Sequence, residues 1–253
     1  MLSSSDITAK LETLVAAYLQ TIDPQFTAGL GDPLEIALFK ILRLMRQQNR
    51  RCVFFGSFDL SCRNAAARYP KTEPTTDIAE VILDGPPDFL LFEPNSNEWA
   101  IVECKNVREW IYPSSALIKT LLAKALAANM TPILVARRLP FITKHALCAP
   151  AGIIAHETYN QLYPETPHGI EMAKLVQEKR GLGYFDVLAS EEPSLRTIEF
   201  MTKHVPKLLP AATSKFQTNK KKLQAWVRGE ISWTTLRLSL AGQYQEPDAD
   251  MDF

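Results

Sequence analysis

Asp88, Glu103 and Lys105 are the residues of this chain whose types and spacing can do chemistry. They bracket two apolar runs, Phe89-Leu90-Leu91-Phe92 and Trp99-Ala100-Ile101-Val102, separated by the polar stretch Glu93-Pro94-Asn95-Ser96-Asn97-Glu98. The runs read as short strands, Phe89–Phe92 and Trp99–Cys104, joined by a tight turn. Residues two apart on a strand share a face, so Glu103 and Lys105 emerge together while Cys104 points the other way. If the strands pair as a hairpin, Asp88 lies opposite the Glu103–Lys105 end. Two carboxylates and an ammonium then share one small volume.

Two carboxylates so placed repel and resist ionising together. A divalent cation removes the conflict, and Mg²⁺ is commonly held by one or two carboxylates with water and substrate phosphate. A metal there can polarise a phosphodiester and activate water. Lys105 can orient that water or stabilise charge developing on phosphate.

The flanking sequence supplies elements to position these groups. Asp32-Pro33 starts a helix, with Asp as N-cap and Pro at the first helical position. Leu34, Ala37, Leu38, Ile41, Leu42 and Met45 follow at helical spacing, and Glu35 sits in the first turn. Cys52–Gly56 reads as a strand. Ser115 to Asn129 reads as a helix broken at Thr131-Pro132, followed by buried strands Ile133–Ala136 and Gly152–Ala155. Thr143–Leu147 and Asn160–Tyr163 read as short helices.

Pro87-Asp88 with Glu103-Cys104-Lys105, in this order of elements, resembles the PD-(D/E)XK nuclease superfamily over about residues 30–165. The resemblance implies an α/β fold of the restriction-endonuclease-like class, with a mixed central sheet flanked by helices. It implies a Mg²⁺-dependent endonuclease, with Mn²⁺ able to substitute, cutting phosphodiesters by direct attack of water. DNA is the favoured substrate over RNA. By that resemblance Asp88, Glu103 and the backbone carbonyl of Cys104 bind the metal. Lys105 positions water, and Glu35 completes the site, with Glu12 a weaker substitute. Many relatives work as homodimers, which sets that expectation here. The gap from Cys52 to Asp88 is long for neighbouring strands. Residues 59–80, with Arg63, Arg68 and Lys71, read as a substrate-contacting insertion or as an extra strand around Ala79–Leu83.

Composition narrows the class further. Lys plus Arg number 28 and Asp plus Glu 28, a zero net charge that argues against a protein coating nucleic acid. The distribution is uneven: Arg196 to Arg228 holds eight basic residues and one acid, Glu199, while Glu246, Asp248, Asp250 and Asp252 close the chain. Within the basic stretch Lys215, Lys220, Lys221 and Lys222 are candidate nucleic-acid contacts, as are Arg108 and Lys119 near the core. No apolar run reaches membrane-spanning length, and the N-terminus lacks signal-peptide features, so a cytoplasmic protein without membrane partners is expected. Cys52, Cys62, Cys104 and Cys148 lack zinc or iron–sulfur spacing. His145 and His156 read as loop or core-edge histidines, and Asn106 as a phosphate contact or a strand cap. No phosphate-binding glycine loop or Gly-x-Ser-x-Gly elbow is present.

Two units are expected: residues 1–165, an N-terminal helix (6–22) and the nuclease-like core, and 166–253, a mainly helical extension. In the extension, helices are expected near Gly169–Lys179, over 193–208 and 215–228, and at Ser232–Leu240. The alternative to an enzyme is a catalytically silent module of the same fold, binding nucleic acid or a protein partner in a larger complex.

Overall fold

The computed structural model describes residues 8–13, 15–16, 31–48, 52–78, 80–178 and 186–242. Most of the expected N-terminal helix and all of the acidic tail lie outside them. The described part of that helix, 8–13 and 15–16, is helical and exposed.

The chain opens its core with helix α1 (Gly31–Gln47), then strand β1 (Val53–Phe55). Two small hairpins follow: β2 (Ser57–Phe58) pairs with β3 (Lys71–Thr72), and β4 (Asp77–Ile78) with β5 (Val81–Ile82). The strand weighed around Ala79–Leu83 is therefore one arm of a hairpin. Next come β6 (Phe89–Glu93), β7 (Glu98–Lys105), α2 (Ala116–Ala128) and β8 (Thr131–Ala136). After a helical passage from Phe141 to Ala151 come β9 (Ile154–Glu157), β10 (Gln161–Tyr163), α3 (Pro167–Glu178) and β11 (Val187–Ala189). Helices α4 (Leu195–Glu199), α5 (Val205–Val227) and α6 (Trp233–Ala241) finish it, with a π-helical turn, Phe200–His204, joining α4 to α5. Among the described residues no helix is long and apolar enough to cross a membrane.

The central sheet has five strands in the order β1-β6-β7-β8-β9. β1, β6 and β7 run antiparallel, and β7, β8 and β9 run parallel. The mixed α/β class expected from sequence is thus what the chain forms. The register follows the strand period. Phe89, Leu91, Ala100, Val102 and Cys104 face α1, packing on Leu34, Leu38, Ile41, Leu42 and Met45. Leu90, Ile101 and Leu134 face α2, against Ile118, Leu121, Leu122 and Ala125. Local signals set the ends of α2: the Ser115 side chain accepts from Ile118 N–H, and Asn129 closes it in the left-handed conformation.

Two expectations need correction. Gln161–Tyr163 is not helical: it pairs in parallel with Val187–Ala189 as a separate two-stranded sheet. The Asn106 side-chain amide stands in for a neighbouring strand, donating to Leu162 O (2.6 Å) and accepting from Leu162 N–H (3.0 Å). A backbone partner of this kind favours the extended form over an isolated helical turn. The second concerns the helices of the extension, whose residues pack on both sides of the core. Phe200, Met201, Val205 and Leu209 belong to the α1 side of the core, and Phe216, Leu223, Trp226, Leu236 and Leu240 to the α2 side. The stretches expected as separate helices over 193–208 and 215–228 are joined, because α5 runs unbroken through Pro210.

Helix α5 crosses beneath the starts of β8 and β9. Thr213 Oγ1 is 2.6 Å from Thr131 Oγ1, and Asn219 donates to Pro150 O (3.1 Å). Gly152 makes the crossing possible: φ is +77°, and a Cβ there would stand 2.3 Å from Ala212 O and 2.4 Å from Phe216 N.

Candidate active site

The hairpin register, Phe89 opposite Val102 and Leu90 opposite Ile101, continues outward to put Asp88 opposite Glu103. Asp88 Oδ2 accepts from Cys104 N–H at 2.6 Å, which ties the residue entering β6 to the end of β7. Gly56, just beyond β1, holds the other side. Its φ is +101°, and a Cβ would lie 2.7 Å from Asp88 O and 2.9 Å from the Phe89 ring. The backbone at Asp88 is therefore set by a glycine as well as by the hairpin.

Glu35 comes from the first turn of α1, four residues after Gly31 and buried against the sheet. The structure thus brings together the four side chains singled out by sequence, Glu35, Asp88, Glu103 and Lys105, with the Cys104 backbone between them. It adds two that sequence reasoning did not assign. Lys71, at the start of β3, reaches Glu35 Oε2 (2.9 Å), Glu73 Oε1 (3.4 Å) and Asp88 Oδ1 (3.7 Å). Lys124, from α2, donates to Glu103 Oε1 (2.7 Å) and to Pro86 O (2.7 Å). A signal for Lys124 was present: a lysine on a helix face otherwise made of Leu121, Leu122, Ala125 and Ile118. Lys71 carried no such mark, because only tertiary folding brings its loop to α1.

Lys105 Nζ donates to Glu103 Oε2 at 2.7 Å and lies 3.8 Å from Asp88 Oδ2. The nest therefore holds three carboxylates, Glu35, Asp88 and Glu103, and three ammoniums, Lys71, Lys105 and Lys124. Burial, with Asp88 beside it, raises the Glu35 carboxyl to about 7 against the pull of Lys71. Burial and then Glu103 also raise Asp88, opposed by Lys105, the Cys104 N–H and Lys71. Burial works against the Lys105 ammonium, but Asp88 and Glu103 outweigh it and its pKa is raised. Lys71 is raised in the same way: burial opposes its charge, and Glu35 and Asp88 prevail.

The donor set fits a hard cation. Carboxylate oxygens and a backbone carbonyl are what Mg²⁺ takes. Glu35 Oε2 is a buried oxygen without a hydrogen bond, since the nearby Lys71 Nζ is out of alignment for one. Asp88 is repelled by Glu103 and in turn repels Glu35, a conflict that a cation would relieve. As the side chains stand, the lysines fill that role, and no group of three or more His, Cys, Asp or Glu among the described residues is arranged around a common metal position.

The expected nucleic-acid contacts scatter. Lys119 lies over the Trp226 ring (5.7 Å) on the α2 side. Arg108 is tied to Gln161 (2.9 Å) and Asp186 (2.8 Å). On α5, Lys220 bonds Asn129 Oδ1 and Lys222 bonds Ser239 O, while Lys215 and Lys221 are exposed. All four lysines sit at the start of the parallel strands. The carboxylate nest sits at their finish, about 20 Å away along a six-residue strand. His156 is on β9, buried, stacked on Phe200 (4.2 Å) with Thr197 Oγ1 at 3.2 Å, a core histidine. Cys52, Cys104 and Cys148 are buried and free. Compared with known proteins, the chain matches no family model, no curated sequence and no solved structure.

Proposed function

We propose that this chain is a divalent-metal-dependent nuclease of the restriction-endonuclease-like class, cutting DNA in preference to RNA. The observation that carries the reading is the convergence of Glu35, Asp88, Glu103 and Lys105 from three separate elements at one end of the sheet. The hairpin order and register support it, as does the buried, mutually repelling state of the carboxylates.

Asp88, Glu103 and the Cys104 carbonyl would hold Mg²⁺ or Mn²⁺, with Glu35 completing the set, and the bound ion would supply charge neutralisation at phosphate and an activated water. The protein's own groups do the rest. Lys105, fixed beside both Asp88 and Glu103, donates to a phosphate oxygen or holds the attacking water in line. Lys124 pins Glu103 from the α2 side, so the carboxylate's direction does not depend on substrate. Lys71, from the small β2–β3 hairpin, stands between Glu35 and Asp88 and would have to give way to a cation held there. Action as a homodimer or within a larger assembly, in the cytoplasm, belongs to the same proposal.

A second reading has its own observation. Each of the three carboxylates already has a lysine beside it without metal, as a silent module of this fold would have it. The deciding experiment incubates the protein and Lys105→Ala with labelled single-stranded, duplex and branched DNA and RNA. Each is run with Mg²⁺, with Mn²⁺ and with chelator. Metal-dependent cutting that is lost in the variant is the expected result. Binding without cutting in every condition overturns the enzyme reading and leaves the silent module.

A further inference from the structure

The nest has a neighbour of opposite sign. Beyond β7, β8 and β9 the backbone continues without a break: Arg137 N–H donates to Lys105 O (3.2 Å), and Tyr159 N–H to Arg137 O (2.9 Å). The side chains gathered there are strongly basic. Asp186 receives Arg108 Nη1 (2.8 Å) and Arg137 Nη1 (2.5 Å), and Arg138 Nε stands 4.0 Å off. Arg138 and Arg196 both rest on the Tyr159 ring, at 5.6 and 4.3 Å from its centre, and Arg196 Nη2 is 3.4 Å from the Tyr159 hydroxyl. The nearby Glu157 is engaged by Leu139 N–H and Lys144. Three guanidiniums thus meet one carboxylate, and a fourth, Arg196, sits beside them on Tyr159.

Arg108 and Arg137 are largely buried and serve to build the cluster. Arg137 also donates to Val107 O and Arg108 O, which fixes the segment leaving Lys105. Arg138 and Arg196 are less committed: beside their seats on the Tyr159 ring, Arg138 makes only the 4.0 Å contact to Asp186 and Arg196 the 3.4 Å one to the Tyr159 hydroxyl. The Nε of each is buried and has no hydrogen-bond partner, although the Arg138 side chain is 42% exposed. A guanidinium held on a ring with its side chain partly open, as Arg138 is, can turn its terminal N–H groups to an oxyanion. Tyr159, at φ +63°, carries both arginines on its ring. In open α/β sheets ligands bind outside the carboxyl ends of the strands, which is where this cluster lies.

We infer that Arg138 and Arg196, seated on Tyr159, bind a backbone phosphate of the polynucleotide next to the one presented to Asp88, Glu103 and Lys105. The substrate then runs across the ends of β7, β8 and β9, and the lysines of α5 do not touch it. The polynucleotide class rests on the nuclease reading, yet the two fail separately.

The test measures binding of a fluorescent 12-nucleotide DNA, single-stranded and duplex, by anisotropy. Chelator is present so that nothing is cut, and salt is varied. Arg138→Ala and Arg196→Ala should each weaken binding roughly three- to tenfold and lower the salt slope by about 0.7–0.9, as loss of one phosphate contact does. Arg138→Lys should keep the slope and lose part of the affinity, since it keeps charge but not the fork. Thermal unfolding of each variant confirms that it is folded. The quadruple variant Lys215→Ala, Lys220→Ala, Lys221→Ala, Lys222→Ala should bind as the unaltered protein does. Unchanged affinity and slope in both arginine alanine variants overturn the inference, as does loss confined to the lysine variant or no binding by the unaltered protein. Arginine-dependent binding with no cutting in Mg²⁺ or Mn²⁺ overturns the nuclease reading instead.

Discussion

The two ends of the parallel strands treat charge in opposite ways. At the finish, single charges from distant parts of the chain are pulled together and largely buried: Glu35, Lys71, Asp88, Glu103, Lys105 and Lys124 in one nest, Arg108, Arg137, Arg138 and Asp186 in the next. At the start, Lys220-Lys221-Lys222 form the densest basic run of the chain, and they ride on a helix whose work is packing. Phe216, Leu223 and Trp226 of that helix are all buried. Charge density along a sequence and charge density in space are therefore different quantities. Burial makes the spatial one costly, and that cost marks the end of the sheet where chemistry is to be sought.

The contrast can be broken most directly by activity. Asp88→Asn should reduce metal-dependent cutting by a factor on the order of 10²–10³ or more, as losing a charge-stabilising group does. The triple variant Lys220→Ala, Lys221→Ala, Lys222→Ala should stay within about twofold of the unaltered rate. A comparable loss in the lysine variant would erase the distinction between the two ends.

Stability sharpens it next, through the two glycines. Gly152→Ala forces a Cβ into the backbone of α5, and urea unfolding should show a loss of about 3 kcal/mol with little change in cutting per folded molecule. Gly56→Ala forces a Cβ against Asp88 O at the other end, so it should lower activity as well as stability. Equal effects of both variants on cutting would mean that Asp88 is not held by that turn.

Lys124→Met tests whether the nest is rigid. It removes one of two ammoniums from Glu103 and leaves Pro86 O without its donor, a cost of about 2 kcal/mol given that Lys105 remains. Chemical denaturation is the readout, and an unchanged midpoint would show that Lys124 is dispensable to the nest.

At neutral pH the least visible effect is a dependence of stability on pH away from the site, which develops only on acidification. Burial, then Arg196, Lys144 and His204, push His156 down to about 3. The folded protein keeps the ring neutral while the unfolded chain takes up a proton below about 6.5. Stability contributed by this residue is thus present above about 6.5 and is lost as pH falls toward 3, by at most about 1.4 kcal/mol per pH unit. His156→Phe should flatten that part of the stability–pH curve. An unaltered slope would place the acid sensitivity elsewhere.

Much of this was legible in the sequence. The alternation of Phe89 to Lys105 fixed which side chains share a face, because a strand has a period of two whatever surrounds it. Ser115 marked the start of α2, because a cap acts on the nearest backbone N–H groups; Asp32-Pro33 marked that of α1 only to within a residue, since the helix begins at Gly31 and the Asp32 carboxylate pairs with Arg68 instead. Those local rules placed Asp88, Glu103 and Lys105 at one end of a hairpin and Glu35 in a first turn. Tertiary structure alone decided the rest. Lys71 joins the nest because a hairpin some thirty-five residues from Glu35 folds over α1. Gln161–Tyr163 is a strand because Asn106 and Val187–Ala189 offer it partners. Helix α5 belongs to both sides of the core because Gly152 lets it pass. Arg108, Arg137, Arg138 and Arg196 form one cluster because parallel pairing puts the ends of β7, β8 and β9 side by side. Each of these depends on contacts between residues far apart in the chain, whose meeting is set by the packing of the whole sheet and leaves no periodic signal in any one segment.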